Sequence, residues 1–221
     1  MSDDSFFREV DQELRQDQAK ALWERYGVAA IAIAVVVVLA TAAYVAWDYW
    51  NQSRANASGD AYLQALTLAN EGDIEAAQAA LAQLEADGYG AYPVLARLRS
   101  ATLLAEQGDD AGAIEAFDTV AADGSVPEPI RDMARLRAGL LLVDHGSYDD
   151  VSQRVEALAV ETNPLRHSAR EALALAAWKD GRLSDAAALF GQILDDQASP
   201  ASTRQRAELM SELIRGSGAS S

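Results

Sequence analysis

The chain has 221 residues, half of them apolar, with 34 acidic against 18 basic side chains and a formal charge of −16. A surface this negative repels phosphate backbones and has no counterions to release from them, which excludes DNA and RNA as partners. The lack of cysteine excludes disulfides, zinc–thiolate sites and a thiol nucleophile, while an Ala-rich, aromatic-poor composition favours close-packed helices over a sheet.

Residues 1–26 predict a helix, because Phe7, Val10 and Leu14 recur at helical spacing with acids and Gln filling the positions between. Its net acidic character suits a solvated extension better than a helix lying on a membrane surface, which carries a basic polar face.

Residues 27–50, "GVAAIAIAVVVVLATAAYVAWDYW", form the next element. From 28 to 47 there is no charge, and Thr41 is the one clearly polar side chain. About twenty helical residues span ~30 Å, the thickness of a bilayer's hydrocarbon core. Trp23 and Tyr26 precede the run, and Tyr44, Trp47, Tyr49 and Trp50 close it, where interfacial aromatics belong. Ala40-Thr41-Ala42 has the small-x-small form of a signal cleavage site, so a cleaved export signal competes with a membrane anchor. The long leader of mixed charge and the apolar run beyond Ala42 favour the uncleaved anchor. Arg15, Lys20 and Arg25 lie close before the run, whereas only Arg54 follows before Arg97. That bias places the N-terminus in the cytoplasm and the remainder across the membrane.

Residues 51–58, "NQSRANAS", are polar and small and read as a linker. Beyond them the chain repeats. Gly72, Gly108, Gly146 and Gly181 each follow an apolar helical segment, at intervals of 36, 38 and 35 residues. Five residues after each glycine stand Ala77, Ala113, Val151 and Ala186; nine after, Leu81, Phe117, Val155 and Phe190; twelve after, Leu84, Val120, Leu158 and Ile193. Seven before stand Ala65, Ala101, Gly139 and Ala174, all small, and four before stand Leu68, Leu104, Leu142 and Ala177. This is the pattern of a helical hairpin: the glycine closes the first helix in the left-handed region, and the small residue admits the partner helix. Asp73, Asp109, Ser147 and Ser184 are the expected N-caps of the second helices. A single hairpin leaves an apolar side bare, so several must stack.

These offsets resemble the tetratricopeptide repeat. The resemblance implies an α-solenoid of about four hairpins over residues 59–215 with a capping helix; with the N-terminal transmembrane helix before it and a flexible tail at 216–221, an all-α fold is expected. Pro127, Pro164 and Pro200 echo the repeat's terminal proline only loosely.

No catalytic constellation emerges, and an enzyme is not expected. Asp109-Asp110, Asp149-Asp150 and Asp195-Asp196 sit at turns or helix ends, where carboxylates cap helices. His145 and His167 lie 22 positions apart without partners at metal-ligand spacing, so neither metal nor cofactor is expected. Arg97, Arg135 and Arg170 recur eleven residues before the repeat glycines, and Arg99 and Arg137 recur nine before. The first three are candidate peptide-binding residues, lining a concave face where guanidinium forks bind carboxylates. The competing role is ion pairing to acids of the adjacent hairpin. Tyr62, Tyr89, Tyr92 and Trp178 offer stacking surface.

The layout as a whole, with "ALWERYG" before the span, "YVAWDYWNQS" after it and the repeats beyond, resembles the bacterial ancillary SecYEG translocon subunit family. That resemblance implies a non-catalytic inner-membrane protein with a periplasmic domain, passing exported chains from the translocon to periplasmic chaperones. An envelope scaffold for cell division or outer-membrane assembly would use the same repeats.

Overall fold

A computed structural model describes residues 3–216, with side chains described from Lys20 onward except Ala21 and Ala30. The side chains of Phe7, Val10 and Leu14, and the predicted tail beyond Gly216, lie outside the described residues. Every regular element described is helical, and the chain divides into two compact units, residues 1–56 and 57–221.

The first unit consists of most of helix α1 (Asp3–Asn70), which passes through the apolar run without a break. From Leu22 onward it is long and apolar enough to cross a membrane, and no residue of its most apolar stretch is buried. Thr41 satisfies its hydroxyl inside the helix, donating to the Val37 carbonyl at 2.8 Å. Each edge of the run carries a cation over an aromatic ring: Arg25 lies 5.6 Å from the Tyr26 centroid and Arg54 5.4 Å from that of Trp50.

Residues 51–58, read as a linker, are helical throughout. Small polar side chains end the apolar run there, but with neither Pro nor Gly the backbone ladder continues. The end of this segment already belongs to the second unit, because Ser58 accepts a hydrogen bond from the Tyr89 N–H at 2.9 Å.

The second unit stacks four hairpins and a cap. Residues 57–70 of α1 pair with α2 (Ile74–Asp87), and α3 (Tyr92–Glu106) pairs with α4 (Asp110–Ala122). Next, α5 (Glu128–His145) pairs with the short α6 (Tyr148–Val155), extended by a 3-10 turn, Glu156–Leu158. The last pair is α7 (Arg166–Lys179) with α8 (Leu183–Asp195), covered by α9 (Ala201–Gly216). Proline opens two first helices, with Pro93 in the first turn of α3 and Pro127 as the N-cap of α5.

The repeat columns make the core. The residues five, nine and twelve after each turn glycine are all buried, and so are the small residues seven before. In the column four before, Leu142 and Ala177 are buried, whereas Leu68 and Leu104 are only half-buried. Three further first-helix columns, twelve, eight and five before the glycine, set how hairpins stack. In the fourth hairpin they hold Ala169, Leu173 and Ala176, all buried in one cluster with Leu142, Val151 and Val155 of the third. In the first hairpin, which has no predecessor, they hold Asp60, Gln64 and Thr67, all exposed. The stack is therefore closed at its first hairpin by polar substitution, and at the other end by α9, which buries Ala207 and Ile214 against Phe190 and Ile193.

Three turn glycines adopt the expected left-handed backbone, with φ of 86° at Gly72, 82° at Gly108 and 74° at Gly181. Gly146 differs: its φ is −120° and its backbone extended. Close approach explains that glycine, since a Cβ there would sit 2.8 Å from Leu142 Cδ2 and 3.2 Å from Asp150 Cβ. Asp73 and Asp109 cap as expected, and Ser147 forms a capping box with Asp150. Ser184 does not cap. Helix α8 starts two residues earlier, with Arg182 as its N-cap, and that guanidinium instead pairs with Asp185 and lies 3.8 Å from the Tyr148 ring centroid.

Candidate protein-interaction site

The first helices present a face that neither their own hairpins nor the neighbouring ones bury. It comprises the positions thirteen, nine and six before the turn glycine, about one helical turn apart, half-buried or exposed in the first three hairpins, whereas in α7 the middle one, Ala172, is buried. In the third hairpin these are Met133, Arg137 and Leu140, all exposed on α5. In the second they are Leu95, Arg99 and Thr102 of α3. Between α3 and α5 lies a cavity of about 500 Å³ lined by Thr102, Ala105, Phe117, Met133, Leu136, Arg137, Leu140 and Leu141. Leu63, in the same column of α1, is also exposed, as are Leu209 and Leu213 on α9. Exposed apolar side chains gathered beside a cavity, as Met133 and Leu140 are, mark a partner surface.

The two arginines of this face differ in charge balance. Arg99 is neutralised within its helix, donating to both oxygens of Glu106 at 3.0 and 3.4 Å. Arg137 donates to the Thr102 hydroxyl at 2.9 Å and lies 5.9 Å from the Phe117 ring centroid, and no carboxylate among the described residues pairs with it. The acid equivalent to Glu106 is Asp144, shorter by one methylene.

The three arginines named as candidates are held elsewhere, each in internal contacts. Arg97 pairs at 2.7 Å with Asp123, the C-cap of α4, and at 3.7 Å with Glu85 of the preceding hairpin. Arg170 is buried, donates to the Ala159 carbonyl at 3.0 Å and approaches Asp196, the C-cap of α8, at 4.0 Å. Both clamp a first helix to the end of its own second helix over the same separation of 26 residues. Arg135 pairs at 2.6 Å with Asp132 in its own helix. The acid 26 residues on, Glu161, falls past the shortened α6, where the chain has left the helix.

The clamp acids are strong ones. Hydrogen bonds from the Ser125 hydroxyl, the Arg97 guanidinium and the Ser125 N–H hold the Asp123 carboxyl well below the ordinary carboxylate range. Asp196 is held equally low, first by Arg166 at 2.9 Å, then by the Ala198 N–H and by His167 at 2.8 Å. A polar cavity of about 470 Å³ adjoins it, lined by Glu161, Arg166, Arg170, Gln192, Asp195, Asp196 and Gln197. The other histidine, His145, pairs with Asp110 at 3.1 Å. Of the aromatics read as stacking surface, Tyr62 and Tyr92 pack on each other at 6.1 Å, whereas Trp178 is 44% exposed.

Sequence reading passed over Met133, Leu140 and the distinct state of Arg137. Their repeat columns were countable, but which acid each arginine meets is settled only in the folded chain.

Stacked helical hairpins with an uncovered first-helix face define a repeat scaffold of the protein-binding class, whose domains are as a class non-catalytic. The family model described as tetratricopeptide repeat-like domain matches residues 20–172. The chain belongs to that family, and the match takes in the apolar run of α1 as well as the first three hairpins. No curated protein and no solved structure matches the chain.

Proposed function

We propose that this protein is a membrane-anchored, non-enzymatic interaction module that works beside the SecYEG translocon and links exported chains to periplasmic chaperones. The observation that carries the interaction role is the uncovered first-helix face with its cavity between α3 and α5. In this reading α1 stays uncleaved in the inner membrane, with the N-terminus cytoplasmic and the repeats periplasmic. The charge bias around the span supports the orientation, and the layout of anchor followed by repeats supports the translocon.

A photo-activated cross-linker placed at Leu140 in intact cells tests the partner. Adducts with a translocon subunit or a periplasmic chaperone are expected. Adducts confined to cell-division or outer-membrane assembly components would replace this reading with an envelope scaffold. A reporter fused after Ser221 should be active in the periplasm; activity confined to the cytoplasm would overturn the orientation.

A further inference from the structure

We infer that the groove between α3 and α5 selects apolar protein segments carrying an internal side-chain carboxylate, and that Arg137 is the residue that reads it. This rests on the interaction role proposed above and adds the chemistry of the partner.

Charge complementarity carries the argument. The chain has 34 acids against 18 bases, so a cation on its surface has abundant partners to choose from. Arg99 and Arg137 occupy the same position in successive hairpins, and Arg99 takes Glu106. Arg137, at the cavity wall, is left with a hydroxyl and a ring face. Both contacts leave its positive charge uncompensated, and they also hold the guanidinium in place, so little rotamer freedom remains to be lost on binding.

The surroundings define the rest of the ligand. Met133 lies one turn before Arg137 and Leu140 one turn after, on the same exposed face of α5. They stand ~10 Å apart along the helix axis, with the cation between them. A ligand covering all three must present a carboxylate flanked by apolar groups on both sides. An internal Asp or Glu does this, whereas a C-terminal carboxylate leaves one flank bare. Methionine at the rim adapts to different apolar shapes, which suits a site that recognises a pattern rather than one sequence. An anionic detergent or lipid would meet the same cation, but the net charge of the chain opposes a charged bilayer surface.

The test uses the full chain in nanodiscs of neutral lipid. The probe is an end-blocked fluorescent peptide with Leu-Leu-Glu-Leu-Leu between Gly-Ser flanks, and its counterpart has Gln in place of Glu. The Glu probe should bind about tenfold more tightly, the increment of one charge-assisted pair. Arg137→Gln should bring that ratio to about one, whereas Arg99→Gln should leave it unchanged. Met133→Ser with Leu140→Ser should weaken both probes together, with thermal unfolding confirming that each variant folds. Equal affinity of the wild-type chain for both probes, a preference that survives Arg137→Gln, or binding of neither probe would each overturn the inference. Cross-linking from Leu140 reads partner capture whatever the ligand's charge. Adducts without a Glu preference would remove this inference and leave the interaction role standing.

Discussion

Two glycines inside helices show how one Cβ decides stability in opposite directions. Gly139 occupies the small-residue column of the third hairpin, where a Cβ would collide with Cγ1 of Val155. Alanine fits this column in the other three hairpins, where Leu or Phe replaces the β-branched partner. Gly139→Ala gains about 1 kcal/mol of helix propensity but overpacks a closed contact at about 1–3 kcal/mol. The net expectation is destabilisation by up to about 2 kcal/mol. Gly191, in the middle of α8, has no heavy atom near its virtual Cβ. Gly191→Ala should therefore stabilise by about 0.5–1 kcal/mol. Urea denaturation of the two variants against wild type checks both signs. The opposite signs come from what each virtual Cβ faces, Val155 at Gly139 and nothing at Gly191.

At the scale of the element, each second helix must start within two residues of the turn that precedes it, and its N-cap decides how well. Ser147 and Asp150 satisfy each other's backbone N–H at the start of α6, which at eight residues is the shortest helix of the repeat. So short a helix has little else to hold its first turn. Ser147→Ala should cost about 1 kcal/mol, and its effect should be concentrated in amide exchange of α6. The equivalent position in α8 is Arg182, which cannot accept a hydrogen bond and is used to join α8 to Tyr148 of α6. Spacing from the glycine located three of the four caps. The fourth was missed because a tertiary contact had taken over the position. The segment 51–58 was missed for a related reason: polarity marks the end of an apolar face and says nothing about where a backbone ladder stops.

At the scale of the whole domain, stability and pH are linked through the clamp acids. Asp123 and Asp196 are both held below their unfolded value, so the folded state binds fewer protons than the unfolded state when the pH lies between the two. Their stabilisation is complete above the unfolded pKa of about 3.9 and is lost as pH falls through the depressed folded values. Through these acids the thermal midpoint should not vary with pH near neutrality and should decline only under strongly acid conditions. Asp196→Asn should lower the midpoint at neutral pH and flatten the decline. The cap matters at the same scale. Deleting residues 201–221 uncovers Phe190 and Ile193, which α9 helps to keep fully buried. Burial of each contributes about 1.5–3 kcal/mol, so the fourth hairpin should lose its exchange protection in the truncated chain while the first two keep theirs.

By itself the sequence determined the apolar run, the four-hairpin periodicity and the core columns, because each is a local pattern that burial at a fixed helical spacing leaves in the chain. It could not assign the arginines. Within their columns Arg97, Arg135 and Arg170, and likewise Arg99 and Arg137, are equivalent as letters in a repeat, and only the folded chain shows which guanidinium finds a carboxylate within reach. For Arg135 that depends on the shortened α6, which carries the chain off the helix before Glu161. Tertiary structure therefore decided which arginines are paired, because charge pairing is set by distance across elements and hydrophobic burial by period within them.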